Sequence, residues 1–299
     1  MPVRFAVLAS GSRGNSALVR SGNTGLLLDL GIGPRSLSAR LESVGASWDH
    51  LGAALLTHTH GDHVDEHSLA TLARRRIPLY CHEGHRVALR RYSGFQTMEA
   101  EGLARNFDER PFLTPNGLSV EPVELRHDGG PTFGFRVEAR PDRGKRPVSL
   151  GYLADTGCWT PSMADLMTDV DLLGVEFNHD VEMQRASNRH PSLIRRNLGD
   201  RGHLSNRQAA DFVVEVLSKS GRGAVKHLVL LHLSAQCNRP ELALKAARGA
   251  ARITGRRLTV HVALQEPAHP HVLVQPGRRL PPPALNAVRR TPVSDWLPF

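Results

Sequence analysis

Between Leu56 and His63 the sequence reads Leu-Thr-His-Thr-His-Gly-Asp-His, which gathers His58, His60, Asp62 and His63 into six residues. Imidazole nitrogens with one hard oxygen suit zinc or manganese, and four donors so close together can serve two ions. The apolar run Ala53-Ala54-Leu55-Leu56 reads as a strand. Its period-two alternation, carried forward, puts His58 and His60 on one side. Gly61 permits a turn that brings Asp62 and His63 back beside them, at the start of a helix expected over 63–75. A histidine-rich surface loop would share this composition, but would not be expected between a strand and an amphipathic helix.

A dinuclear centre needs more donors than one motif supplies, and the strand ends supply them. His127 follows a strand-like run at 120–125, Asp155 follows one at 149–154, and His232 follows the apolar residues 228–231. The C-terminal edges of strands are where α/β sheets place their chemistry. Each residue alone reads equally well as an ordinary polar strand terminus. In this order, behind the first motif, they form a coherent ligand set.

The elements that must position them are legible from periodicity. Strand-like runs occur at 4–9, 26–30, 53–57, 79–81, 120–125, 133–139, 149–154, 172–177, 228–233 and 258–264. Helical patterns occupy 34–44, 63–75, 207–218 and 240–253. Pro34 suits the first position of a helix, and Ser205 with Gln208 forms a capping box. Strands in succession, then alternating with helices, predict an α/β protein of layered sheets flanked by helices. Beyond about Gln275 the chain turns to proline and arginine, so residues 1–274 are expected to form the domain and 275–299 a basic tail.

Over nearly the whole of that domain the sequence resembles the metallo-β-lactamase superfamily, whose ligand order His58-x-His60-x-Asp62-His63, His127, Asp155, His232 reproduces. The resemblance implies a four-layer αββα sandwich of two mixed sheets. Within the superfamily the chain is most similar to the YycJ/WalJ group of double-strand-specific 5′→3′ DNA exonucleases. That likeness is carried by residues 7–16 (Val-Leu-Ala-Ser-Gly-Ser-Arg-Gly-Asn-Ser), 154–157 (Ala-Asp-Thr-Gly), 176–183 (Glu-Phe-Asn-His-Asp-Val-Glu-Met), 199–206 and 232–234 (His-Leu-Ser). Gly61 stands where serine is more usual, and Cys237 where a polar residue is expected before Asn238.

The resemblance implies roles. His58, His60 and His127 would hold one divalent ion, and Asp62, His63 and His232 a second, with Asp155 between them and Asp29 supporting the ligands from behind. A hydroxide held between the two ions, Zn2+ or Mn2+, would attack the phosphorus. As in ribonuclease-Z-like relatives, His203 would protonate the departing oxygen, with Glu176 orienting it. Asp62, His203 and Glu176 are thus the catalytic candidates, and Ser12, Asn15, Asn178, His179 and Asn238 the candidate substrate contacts. His203 could instead cap the helix that follows it. The Gly/Ser turn at 10–16 could offer backbone N–H groups to a phosphate or be a plain hairpin.

Composition bounds the remaining classes. The chain has 299 residues, 40% of them hydrophobic and 22% charged, as expected of a soluble globular protein, and no apolar run long enough to span a membrane. Residues 5–9 are too short for a signal-peptide core. Cys81, Cys158 and Cys237 lie far apart, which suits a reducing cytoplasm rather than a disulfide framework. A net charge of +9 favours a polyanionic partner, nucleic acid first, although coding bias toward arginine would produce the same excess. The pair His82 and His85 lacks further donors and reads as solvent-facing. The arginine runs 74–76 and 195–196 read as solvated faces unless phosphate contact is shown. Beside the DNA exonuclease stand a ribonuclease-Z-like endonuclease or small cyclic-nucleotide phosphodiesterase, a thioester or lactam hydrolase, and a non-catalytic nucleic-acid-binding protein.

Overall fold

Along the central strands successive residues enter different apolar layers, and this alternation sets the architecture. Leu26 and Leu28 pack with Phe5, Val7, Phe135 and Leu150 in a core between two sheets, while the intervening Leu27 packs with Leu8, Leu37, Leu41 and Leu72 against helices. On the other sheet Leu172, Val229 and Leu231 face the shared core, and Leu173, Leu228 and Leu230 face a third cluster with Phe212, Val216 and Ala247. Strands buried on both faces explain the continuous apolar runs read from the sequence. The layers are helix, sheet, sheet, helix.

The computed structural model describes residues 3–139, 146–265 and 272–275. Its strands are β1 (Val3–Ala9), β2 (Ser16–Ser21), β3 (Thr24–Leu28), β4 (Leu51–Leu55), β5 (Leu79–His82), β6 (Ala104–Phe107), β7 (Phe112–Leu113), β8 (Leu118–Leu125), β9 (Thr132–Ala139), β10 (Val148–Leu153), β11 (Leu172–Glu176), β12 (His227–Leu231), β13 (Thr259–Val262) and β14 (Val272–Val274). Its helices are α1 (Pro34–Ser43), α2 (Glu66–Arg74), α3 (Arg86–Leu89), α4 (Ser93–Ala100), α5 (Pro161–Leu166), α6 (Val181–Arg185), α7 (Pro191–Leu198), α8 (Asn206–Lys219) and α9 (Pro240–Ile253). One sheet runs β14-β1-β2-β3-β4-β5-β6 and the other β13-β12-β11-β10-β9-β8-β7. Both are mixed. Pairing is parallel from β3 to β6 and from β10 to β13, and antiparallel elsewhere.

All ten strands expected from periodicity are present, and the capping box at Ser205 and the leading proline of α1 form as read. The turn at 10–16 is the β1–β2 hairpin. Two expectations about the first motif are corrected. Strand β4 ends at Leu55, and α2 begins only at Glu66, where the Asp65 carboxylate accepts the Ser68 N–H at 2.8 Å. The histidines therefore lie on a loop, neither on a strand end nor in a helix. The tail beyond Gln275 lies outside the described residues.

Candidate metal centre

Three side chains of the site leave strands through left-handed backbone. Asp29 (φ 59°), Asp155 (φ 55°) and His232 (φ 52°) account for half of the six non-glycine residues with positive φ among the described residues. Such conformations cost on the order of 1–2 kcal/mol each and persist where surrounding structure imposes them. Each follows closely on a strand of the parallel block (β3, β10 and β12) and turns its residue toward the edge where the two sheets meet. The 58–63 loop is held over that edge by backbone contact: the Asn15 N–H donates to the Asp62 carbonyl at 2.7 Å, and the Leu30 N–H to the His63 carbonyl at 3.0 Å. A side chain on Gly31 would lie 1.8 Å from the Asp62 oxygen, so only glycine allows this approach.

The seven expected ligands converge. His58 Nε2 and His60 Nδ1 are 3.1 Å apart, His127 Nε2 and His60 Nδ1 3.2 Å, and Asp155 Oδ2 lies 3.6 Å from His58 and 3.8 Å from His127. A tetrahedral zinc ion with bonds near 2.0–2.1 Å needs donor–donor edges of about 3.3–3.4 Å. This set brackets that value. Beside it, Asp155 Oδ2 is 3.2 Å from His63 Nε2, and Asp62 Oδ2 is 3.9 Å from His63 Nε2 and 3.6 Å from His232 Nε2. One carboxylate thus touches both groups of donors.

The other ring nitrogens explain why these atoms face inward. His63 Nδ1 donates to Asp29 Oδ2 at 2.8 Å, His127 Nδ1 to the Gly202 carbonyl at 2.8 Å, and His232 Nδ1 to Glu176 Oε1 at 3.0 Å. Thr57 Oγ1 donates to Asp29 at 3.0 Å and accepts from His58 Nδ1 at 3.0 Å. With Nδ1 protons held this way, these four histidines turn Nε2 lone pairs toward a common space. His58, His63, His127, Asp155 and His232 are all buried, and His232 Nε2 and Asp155 Oδ1 have no hydrogen-bond partner. A buried polar atom without a partner is costly, and a cation would offset that cost. The donor set fits divalent metal.

Electrostatics agree. Burial alone would lower the basicity of His63, but the Asp29 and Asp155 carboxylates outweigh it and push its pKa up to about 10. Burial would likewise raise Asp155, yet His232 and His63 hold it well below the usual carboxylate range. For His58 burial dominates, with His63 next, and its pKa falls well below the usual value.

Glu176, at the end of β11 and fully buried, serves two histidines. Its Oε1 accepts from His203 Nδ1 at 2.8 Å as well as from His232 Nδ1, while Oε2 accepts the Thr156 and Leu204 N–H groups at 3.1 Å. Burial opposes its ionisation, but His203 and His232 bring its pKa down to about 2. The His203 ring centre lies 5.0 Å from that of His127 and 5.2 Å from that of His232, at the mouth of the donor cluster. Its Nδ1 is committed to Glu176, leaving Nε2 available. The helix cap at this point is Ser205, not His203.

The candidate substrate contacts divide. Asn15 reaches the second donor group, with Nδ2 at 3.0 Å from His63 Nε2 and 3.3 Å from Asp62 Oδ2. His179 is buried and close enough to Glu176 and His203 to feel their charge. Asn178 and Asn238 are internal braces instead. Asn178 Nδ2 donates to the His232 carbonyl, and Asn238 Nδ2 is spent on the Phe177 and Asn178 carbonyls and Asn206. Ser12 is exposed on the hairpin turn, with no contact joining it to the cluster. The solvent-facing reading of His85 is corrected: it is buried, accepts the His82 N–H at Nδ1 and donates from Nε2 to the Pro131 carbonyl at 2.7 Å, and burial lowers its pKa to about 4.

Sequence reasoning missed Asp128, which lies 3.6 Å from His127 Nε2 and ion-pairs with Arg196. It also missed Thr57 and Gly129. Asp128 and Thr57 are sequence neighbours of ligands, the one signal that was available. Gly129 packs so tightly that an added Cβ would lie 2.4 Å from His58 Cδ2.

Residues 25–233 match the family described as a beta-lactamase superfamily domain. The chain belongs to that superfamily. It is 30% identical over 243 residues to the exodeoxyribonuclease WalJ of Streptococcus pneumoniae, covering 80% of this chain and 85% of that protein. It is also 30% identical over 246 residues to the exodeoxyribonuclease YycJ of Bacillus anthracis, covering 81% and 87%. Among solved structures, the metallo-β-lactamase fold protein YhfI from Bacillus subtilis superposes with a TM-score of 0.62 at 19% identity, covering 90% of this chain and 99% of that one. The fold is therefore the metallo-β-lactamase sandwich anticipated above.

Proposed function

We propose that this chain is a metal-dependent phosphodiesterase that removes nucleotides from the 5′ end of DNA. The observation that carries the reading is the Glu176–His203 pair at the mouth of the donor cluster, at 2.8 Å. A thioester or lactam hydrolase has no need of a second, oriented acid there. Similarity to proteins named exodeoxyribonucleases, over four-fifths of the chain, supports DNA as the substrate. In the proposed site His58, His60, His127 and Asp155 hold one divalent ion, and Asp62, His63, His232 and Asp155 a second, zinc or manganese. When bound, such ions supply an activated water near neutral pH and charge stabilisation for the phosphoryl oxygens.

The chain's own residues do the rest. Asp29 and Thr57 fix the orientation of His63 and His58, and Gly202 fixes that of His127. Glu176 holds His203 by Nδ1 so that Nε2 gives its proton to the departing 3′ oxygen. Exposed arginines on α7 and its flanks raise the local concentration of polyanion. Residues 1–274 carry the activity, and the free cysteines Cys81, Cys158 and Cys237 suit residence in the cytoplasm. Among the described residues no helix is long and apolar enough to cross a membrane.

The test replaces His203 by Ala and follows end-labelled duplex DNA and RNA with Zn2+ or Mn2+. Retained metal content with turnover reduced about a hundredfold to ten-thousandfold is the expected result. Unimpaired turnover on an unactivated phosphodiester refutes the assignment of His203. Internal cuts in RNA without mononucleotide release from DNA would replace the exonuclease by the ribonuclease-Z-like reading.

A further inference from the structure

Behind His203 lies a group of polar side chains that the proposed chemistry does not use. His179 is only 1% exposed, yet neither of its ring nitrogens has a hydrogen-bond partner. Gln184 is fully buried, and its Nε2 is also without a partner. Arg189 leans over them. Its Nε donates to Gln236 Oε1 at 3.0 Å, Nη1 to Gln184 Oε1 at 3.4 Å and Nη2 to Ser234 Oγ at 3.3 Å. These acceptors are all neutral. The guanidinium thus keeps its full charge in a half-buried place, with two of its five N–H groups unspent. The carboxylates that act on His179 are engaged elsewhere: Glu176 by His203 and His232, and Asp180 as the cap of α6, where it accepts the Met183 N–H at 3.0 Å.

Buried donors without acceptors cost on the order of 1–3 kcal/mol each, and a cluster of them beside an uncompensated cation calls for an anion. Arginine prefers phosphate oxygens, which it can meet with two parallel N–H bonds. We infer that His179, Gln184 and Arg189 form a recess that receives the 5′-terminal phosphate of the DNA strand being degraded. Enclosure supports a chain end over an internal phosphate, because an internal diester continues in both directions and cannot enter a recess whose central side chain is 99% covered. Position supports the 5′ end. His203 protonates the 3′ oxygen of the departing nucleotide, and that nucleotide's own 5′ group therefore lies on the His203 side, where His179 is found. Ser234, two residues after His232, ties Arg189 to the metal centre's own loop.

The inference rests on the nuclease reading, and its test separates the two. Duplexes ending in 5′-phosphate or 5′-hydroxyl are compared with the wild-type protein, Arg189→Gln and His179→Ala, both in turnover and in metal-free binding measured by fluorescence anisotropy. The wild-type protein should favour the phosphorylated end. Each variant should lose about tenfold to a hundredfold on that end, the worth of a charge-assisted contact, with the hydroxyl end little changed. Arg189 sits at the surface, so Arg189→Gln guards against a folding defect in His179→Ala. Equal handling of both ends by the wild-type protein shows that the recess holds only water and overturns the inference. So does an equal loss on both ends in the variants. If the wild-type protein neither cuts nor binds DNA, the nuclease reading fails. Inorganic phosphate binding followed by 31P NMR then decides the recess alone: loss of that binding in Arg189→Gln upholds an anion site, and its absence in the wild-type protein removes it.

Discussion

Gly129→Ala tests the donor geometry without removing a donor. Gly129 follows His127 and Asp128, its φ lies outside the left-handed region, and its backbone accepts alanine without strain. The added Cβ, however, would lie 2.4 Å from His58 Cδ2 and 3.2 Å from His60 Cε1 and Nδ1. Ordinary carbon contacts need roughly 3.5–4 Å, so the His58 ring must retreat by about 1 Å. Metal sites tolerate displacements of only about 0.2 Å from their preferred distances. In the metal-free protein the ring relaxes by tilting within its pocket, whereas with metal bound it must hold its place, so much of an overpacking cost of about 1–3 kcal/mol falls on metal binding. Expected is a tenfold to hundredfold loss of zinc affinity, at about 1.4 kcal/mol per tenfold, read by competition with a chromophoric chelator. The melting temperature of the metal-free protein should move much less. Two controls isolate the cause. Gly130→Ala has φ +83° and no atom within 4 Å of its Cβ, so it should cost stability but not zinc affinity; Gly61→Ser meets open space and should cost neither. Zinc affinity in Gly129→Ala equal to wild type would refute the proposed role of His58 as a ligand.

Other predictions follow from charge. His63 is held up to about pKa 10 by Asp29 and Asp155, against burial, so in the metal-free protein its contribution to stability is complete below about pH 6.5 and is lost as pH rises toward 10. Chelator-treated protein should therefore melt progressively lower from pH 7 to pH 10, and metal uptake near pH 7.5 should release protons, read calorimetrically in buffers of different ionisation enthalpy. No proton release would exclude His63 and His232 as ligands. Arg195 is exposed on α7 beside Arg196, which is tied to Asp128 at the site. If Arg195 meets a phosphate, Arg195→Ala should lower the salt slope of DNA binding by about one; an unchanged slope leaves it a solvated face.

How much of this was legible in the sequence depends on the kind of order involved. Period-two runs such as Leu26-Leu27-Leu28 and Leu228-Val229-Leu230 announce strands buried on both faces, and the structure has them. The strands missed are those with weak apolar pattern. Strand β6 (Ala104–Phe107) is largely exposed, β7 has two residues, and β2 carries Arg20 and two serines in a hairpin that pairs with stronger neighbours. Their strand character comes from partners supplied by the rest of the fold, which no local window contains. The ligand types were equally legible, because metal chemistry restricts them to a few residues. Their supports were not. Thr57 and Asp128 are ordinary residues in sequence, and the Gly202 carbonyl that orients His127 comes from 75 residues away. Conversely Asn178 and Asn238, which lie in motifs shared with nucleases, spend their amides on main-chain carbonyls.

The left-handed residues join these two halves. Nothing in the pattern around Asp29, Asp155 or His232 announces positive φ, and aspartate and histidine can only tolerate it, not enforce it. What enforces it is the junction between each strand and the loop it must feed. The Asp29 N–H donates to the Leu55 carbonyl at 2.9 Å, and its carboxylate accepts the Thr57 N–H at 2.8 Å, locking the ends of β3 and the 58–63 loop together. The His232 N–H donates to Ser10 Oγ at 2.8 Å, joining β12 to the β1 hairpin of the other sheet. The same contacts that bend the chain aim the side chains, so the strain is retained by the fold whether or not metal is present. On this reasoning the donor geometry is preorganised, and ligand orientation should survive removal of the metal. Ligand-histidine resonances that keep their dispersion in the chelated protein would bear this out; collapse to random-coil positions would show that the ions, and not the strand junctions, assemble the site.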